Sequence, residues 1–390
     1  MKAYLDNAST TPLSPEALSA MLPFLTEHYG NPSAPNAPGR RARLALDEAR
    51  DQIAECLGCL PGEVVFCSGG TEAANLAIFG ADAAAGPGQM TSVCSAFEHH
   101  AVLRAVESIG GTTVSVNARG VIDLEALESE LGGADNAGRN GQVGLVAVML
   151  ANNEVGTVQP IGEVTRLVRE HAPGAVLVVD AVHAAPWLDI AALCTDADMF
   201  FVSAHKFGGP KGVGALVVRG STRWTATGRG GAQERERRPG TENVAAIVGM
   251  AAALGSAVQD RQANVFRVSA HRDRLADGIC FSSPAITESA VQDGDRSGKV
   301  AGTCHVTVEG VEQDELLFLL DREGIYASAG SACASGAAET NHVLEAMGID
   351  LTSSKAAALR LSLGATTTDD EVDYAVDVIP KIVEHLRSGG

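Results

Sequence analysis

Ala175-Val176-Leu177-Val178-Val179-Asp180 and, further on, Met199-Phe200-Phe201-Val202-Ser203-Ala204-His205-Lys206 are two short apolar runs that each end in polar residues. Uninterrupted apolar runs of this length read as strands buried on both faces, as in a parallel sheet covered by helices. Polar residues delivered at the carboxyl ends of such strands are how an open α/β sheet builds a ligand crevice. An Asp and a Lys presented together have a specific chemical use. The lysine can form a Schiff base with pyridoxal phosphate (PLP) while the aspartate keeps the pyridinium nitrogen protonated. The same two residues would also serve as a buried ion pair, so this stretch alone leaves both readings open.

Outward from these strands the chain alternates. Val64–Cys67, Thr91–Ser95, Val143–Leu150 and Gly214–Val218 read as strands. Ser14–Glu27, Gly39–Gly58, Thr71–Phe79, His99–Ile109 and Ile161–His171 read as helices, the second with Leu44, Ala45, Ile53 and Leu57 on one face. The rhythm implies βαβ units and a mostly parallel sheet. Beyond about Gly255 it gives way to a long helix and separated strands such as Ala301–Val308. The expected organisation is an α/β protein with a large domain over residues 14–254. A smaller α+β domain is expected from residues 1–13 and 255–390.

Composition narrows the class. The 390 residues suffice for two domains, and 45% hydrophobic with 20% charged content is that of a well-cored enzyme. With 29 Lys and Arg against 48 Asp and Glu, the net charge of −19 argues against direct nucleic-acid binding. Arg235, Arg237 and Arg238 form a basic cluster, but Glu234 and Glu236 interrupt it, so it reads as a loop with a local task. No apolar run approaches the roughly 18 residues needed to span a bilayer, and Met1–Asp6 lacks a signal-peptide core. A cytoplasmic protein without membrane contact is expected. The eight cysteines are scattered, as suits reduced thiols. Cys56-Leu57-Gly58-Cys59 has no second pair at zinc-ribbon spacing and reads as helix-end packing, so no metal site is expected.

Other strand ends converge on the same crevice. Strand Val64–Cys67 runs into Ser68-Gly69-Gly70-Thr71-Glu72 and then a helix, an arrangement whose free N–H groups and dipole suit a phosphate. It is neither a Walker loop nor a dinucleotide fingerprint, which favours a single-phosphate cofactor. Glu98-His99-His100 stands at the next junction, where a His could stack on a flat ring and move protons. One of the two histidines would cap the helix, and His100 is assigned no chemistry. Ala151-Asn152-Asn153-Glu154 would bring amides to the same edge.

These residues resemble the class-V aminotransferase group of fold-type I PLP enzymes, and specifically cysteine desulfurases of the iron–sulfur-assembly and nitrogen-fixation type. The resemblance runs through Tyr4-Leu5-Asp6-Asn7-Ala8, Gly30-Asn31-Pro32-Ser33, Ser68–Glu72, Glu98-His99 and Asn152-Asn153-Glu154-Val155-Gly156. It continues through Ser203–Lys206, Gly240-Thr241, Ser328-Ala329-Gly330-Ser331-Ala332-Cys333 and Arg360-Leu361-Ser362-Leu363-Gly364. It implies a PLP-dependent transferase fold, with a mainly parallel sheet of about seven strands and a smaller α+β domain.

By the resemblance, Lys206 would carry PLP and move the Cα proton, Asp180 would hold the pyridinium nitrogen, and His99 would stack on the ring. Gly70, Thr71, Ser203 and His205 would hold the phosphate, joined by Thr241 from the partner subunit of a homodimer. Asn153 and Arg360 would grip the substrate carboxylate, for which a guanidinium fork is suited. The implied reaction turns L-cysteine into L-alanine and leaves sulfur as a persulfide on Cys333 for delivery to an acceptor protein, either a scaffold or a sulfur carrier. A selenocysteine lyase or other C–S lyase is the alternative, followed by an aminotransferase or a partner-dependent sulfur-delivery subunit.

Cys333 lies in a Ser, Ala and Gly run unlike packed core, and a mobile loop at about 326–340 is expected to carry it. Three positions depart from the family pattern. His183 stands where Gln is usual near the cofactor's phenolic oxygen, Asn36 where His is usual, and Pro186-Trp187 replaces a Gly-containing turn. Imidazole titrates near neutrality, so His183 is expected to make the cofactor's visible band vary between roughly pH 5 and 8.

Overall fold

The computed structural model describes residues 1–86, 90–132, 143–330, 341–351 and 356–389. The chain begins with β1 (Ala3–Tyr4), α1 (Pro15–Thr26) and α2 (Ala37–Leu57). It then alternates through β2 (Val64–Cys67), α3 (Gly70–Ala85), β3 (Thr91–Ser95), α4 (His100–Ser108), β4 (Thr112–Val114) and α5 (Leu124–Gly132). The alternation continues with β5 (Val143–Met149), α6 (Ile161–His171), β6 (Val176–Asp180), α7 (Ile190–Leu193), β7 (Met199–Ser203) and β8 (Gly214–Val218). These seven longer strands form one sheet in the order β2-β8-β7-β6-β5-β3-β4. Only β8 runs against its neighbours β2 and β7; the other pairings are parallel.

Burial on both faces explains the unbroken apolar runs. Along β6, Leu177 and Val179 join one core cluster while Val176 and Val178 join the other, so each strand feeds both helical layers. The direction of the strands puts the ends of β2, β3, β5, β6 and β7 on one edge, where the site lies.

α8 (Val244–Ser282) follows as one continuous 39-residue helix capped by Asn243. The division expected at 254/255 falls inside it, where burial lapses after Leu254 until Val268. Its first part packs on α1 and α2, and its later part lies under a second sheet. That sheet has β9 (Ile286–Glu288), β10 (Thr303–Glu309) and β12 (Ala356–Ser362) in the antiparallel order β12-β10-β9. The remaining elements are α9 (Gln313–Arg322), β11 (Ile325–Tyr326), α10 (His342–Ala346) and α11 (Asp369–Arg387). β1 pairs in parallel with β11, so the chain's start is bound into its last third. Cys333 and most of the segment expected at 326–340 lie outside the described residues. Asn36, one of the atypical positions, caps α2 by accepting the Gly39 N–H at 2.9 Å.

Candidate active site

A cavity of about 280 Å³ opens on the sheet edge where these strands end. Lys206, Asp180, His99, Gly70, Thr71, Asn153, His183, Ser203, His205 and Arg360 all line it. Thr241 does not; it is exposed beyond Gly240. At the start of α3, Gly69 offers no capping side chain, and the first backbone bond is Ala73 N–H to the Gly69 carbonyl at 3.0 Å. The N–H groups of that first turn therefore remain for an anion. A Cβ on Gly70 would come within 2.9 Å of Val182, so a side chain would crowd this turn.

Asp180 ends β6, buried, with Oδ1 accepting the Val182 N–H at 2.9 Å. Burial pushes its carboxyl up to about 6, against the pull of that N–H and of Lys206. Glu98 is wholly buried beside it in the electrostatic sense: burial and then the charge of Asp180 drive its carboxyl well above the usual range, opposed by the Met149 N–H at 2.6 Å. Among the described residues its Oε2 has no partner. His99 caps α4, with Nδ1 accepting the Ala101 N–H at 3.1 Å. Burial, then Lys206, His100 and His342, lower His99 to about 4.

Lys206 sits in a short 3-10 turn after β7, and its ammonium donates to the carbonyls of Ala8 and Ser9. Arg360, 2% exposed on β12, spreads its guanidinium over the amino-terminal segment and the loop after β5. Nη2 donates to Asp6 Oδ1 (2.8 Å) and Ser9 Oγ (2.7 Å), and Nη1 to the carbonyls of Asn153 (3.1 Å) and Gly330 (2.7 Å). Its Nε is buried and has no partner among the described residues.

His183 bears on one expectation, that its ring titrates between roughly pH 5 and 8. Its Nε2 lies 3.0 Å from Thr303 Oγ1, and burial, then Lys206 and Arg360, lower it to about 3. In the cofactor-free protein that shift favours a neutral ring between roughly pH 5 and 8. Pro186 and Trp187 line a second cavity of about 330 Å³, which shares Ala8, His183 and Lys206 with the first. Trp187 lies against Gly302, where a Cβ would be only 2.3 Å from the indole.

The family model for aminotransferase class-V matches residues 3–375. The chain belongs to the class-V aminotransferase family. An "IscS-like cysteine desulfurase" of Mycobacterium tuberculosis is 41% identical, over 99% of this chain and 97% of the relative. Among solved structures, a "NifS-like protein" superposes with a TM-score of 0.89 at 32% identity, covering 99% of this chain and 100% of the other. "SspA in complex with cysteine" superposes with a TM-score of 0.76 at 29% identity, covering 94% and 100%.

Class-V aminotransferase family members of this kind depend on PLP, and the residues present fit it. Asp180 supplies a buried carboxyl for the ring nitrogen, the uncapped start of α3 an anion site, and Lys206 an amine in the same cavity. Several site residues carried no sequence signal of their role. The Asp6 and Ser9 contacts to Arg360 and the Ala8 carbonyl on Lys206 depend on β1 meeting β11. Glu154, buried and bonded to Asn341 Nδ2 at 2.7 Å, and His342 reach the cavity from separate elements. Only the polar run after Val148-Met149-Leu150 hinted at Glu154.

Proposed function

We propose that this protein is a cysteine desulfurase that converts L-cysteine to L-alanine and passes the sulfur to Cys333 as a persulfide. The observation that carries the reading is the convergence of Lys206, Asp180 and Arg360 on one cavity in a chain of this family. Bound PLP supplies an electron sink for carbanionic chemistry at the substrate's Cα and Cβ. Asp180 would hold the charge that keeps the cofactor's ring nitrogen protonated, and His99 would cover the ring face. Arg360 and Asn153 orient the substrate carboxylate, and Lys206 moves the Cα proton. The Cys333 thiolate attacks the substrate's sulfur, the C–S bond breaks with its electron pair going to Cβ, and Cβ takes up a proton to become the methyl of alanine.

The reading extends to a homodimer in which Thr241 completes the partner's phosphate site, consistent with its exposure. It extends also to a sulfur-acceptor protein and a cytoplasmic setting. Among the described residues no helix is long and apolar enough to cross a membrane, and the seven described cysteines are all unpaired. Product analysis with L-cysteine, with and without a thiol reductant, tests the activity. Alanine together with reductant-dependent sulfide is expected; pyruvate with sulfide released without reductant would make the protein an eliminating lyase.

A further inference from the structure

Arg235, Arg237 and Arg238 belong to the loop between β8 and α8, and the catalytic roles above leave this basic cluster unused. The loop is braced against the strand and turn that lead into α3. Glu234, Arg235 and Glu236 hold φ of 49°, 58° and 64°, a left-handed run that residues other than glycine keep only with support. Support comes from the buried Glu234. Its carboxylate accepts from Arg50 Nη2 (2.6 Å) and Nη1 (3.0 Å) and from the Phe66 N–H on β2 (3.0 Å). Arg237 Nη1 adds a bond to the Gly62 carbonyl at 2.8 Å. The arm so fixed delivers Arg238 to Glu72, with Nε on Oε1 at 2.8 Å and Nη2 on Oε2 at 3.2 Å, a two-point fork. Glu72 Oε2 in turn accepts the Ser68 N–H at 2.5 Å.

Glu72 directly follows Thr71 in the first turn of α3, the turn whose N–H groups suit a phosphate. A carboxylate there competes with an anion for the same helix dipole and repels it. The Glu72 carboxyl is ionised at neutral pH: against burial, which raises it, the bonds from Arg238 and the Ser68 N–H hold it below the ordinary range. We propose that Arg238 is a positioning residue of the cofactor's phosphate site. It neutralises Glu72 and keeps that carboxylate turned back on Ser68, which leaves the α3 turn open to a phosphate dianion. The inference rests on the reading that PLP binds in this cavity with its phosphate at this turn. Arg238 itself stands off the cavity and acts through Glu72.

Charge compensation and plain loop support make different demands. Pyridoxal has the ring and aldehyde of PLP without the phosphate, so its affinity is indifferent to a charge in the α3 turn. A turn distorted by loss of the fork would stay distorted whatever the charge at position 72. Glutamine there keeps an acceptor for the Ser68 N–H and removes only the charge. Both side chains are 28% exposed, which screens the pair in part and limits the expected effect.

The test is equilibrium titration of the full-length protein, stripped of cofactor, with PLP and with pyridoxal, read by visible absorbance. The quantity of interest is the ratio of Kd for pyridoxal to Kd for PLP. Arg238→Gln should lower that ratio about tenfold, with pyridoxal affinity within about twofold of wild type. Glu72→Gln should raise it about threefold, because Arg238 then stands uncompensated beside the turn. The double variant, Arg238→Gln with Glu72→Gln, should return to within about threefold of wild type. An unchanged ratio in Arg238→Gln would overturn the proposal, as would a double variant no better than the single one. If Arg238→Gln does not fold, Glu72→Gln carries the test alone, and an unchanged or lower ratio would overturn the proposal. Wild type separates the two readings. If it binds PLP no more tightly than pyridoxal, the phosphate reading of the α3 turn fails and the proposal with it. If wild type discriminates and Arg238→Gln discriminates equally, only the role of Arg238 fails.

Discussion

Arg360 on β12 donates from Nη2 to Asp6 Oδ1 at 2.8 Å, across 354 positions of sequence. With Ser9 and the carbonyls of Asn153 and Gly330 also bonded, the guanidinium is fixed in place before any substrate arrives. A lysine offers one point charge and no fork. Arg360→Lys should raise KM for L-cysteine on the order of 10²-fold while the cofactor's absorbance is retained. Steady-state kinetics with KM within about twofold of the parent would remove Arg360 as the carboxylate grip.

Lys206 is expected to hold the cofactor covalently. The purified protein should be yellow, and borohydride should fix the pyridoxyl group on the peptide containing Lys206. Lys206→Ala should retain little activity, because both the attachment and the base are lost. Peptide mapping that finds the label on Lys211 instead would overturn the assignment.

Cys333→Ser should abolish alanine and sulfide production and leave the cofactor spectrum intact, since a hydroxyl is a far weaker nucleophile toward sulfur. Parental rates of sulfide and pyruvate release by this variant would show that the thiol is incidental.

Burial of His183 implies a neutral ring from pH 5 to 8, with about 3 as its titration point. Wild type and His183→Gln should therefore give superimposable pH titrations of the visible band. A midpoint in that range that disappears in the Gln variant would show that bound cofactor restores the proton to His183.

Asp180 makes the cofactor-free protein sensitive to pH in a defined direction. Its carboxyl rises from the ordinary 3.8 to about 6 on folding, through burial first. The folded state thus holds the proton more tightly than the unfolded one. The associated stability is fully present below pH 3.8 and is lost as pH rises through about 6. The buried Glu98 acts in the same sense. Asp180→Asn keeps an acceptor for the Val182 N–H and removes the charge. In the cofactor-free state it should be more stable than wild type at pH 8, by roughly 2–3 kcal/mol, and close to wild type at pH 4. Denaturant unfolding that gives the same difference at both pH values would contradict this.

Much of the site could be read from strand ends. β2, β3, β8 and α6 fall where the apolar runs and turn residues place them, and Lys206, Asp180, His99 and the α3 turn meet because parallel strands share an edge. α8 was harder to read. It begins at Val244 rather than near Gly255, because its buried face changes partner along its length and leaves no single apolar stripe. The contacts of Arg360 with Asp6 and of His342 with His100 join distant segments, and no local periodicity encodes such meetings.

The parallel pairing of β1 with β11 sets a condition on synthesis. The large sheet needs nothing beyond Val218 and can assemble while the rest of the chain is still being made. Residues 3–9, made first, gain their partners only when Ile325, Arg360 and Ser362 have left the ribosome. Until then the carbonyls that restrain Lys206 are unanchored. A nascent chain would carry a folded scaffold with its reactive amine unrestrained, and competence would come in a single late step.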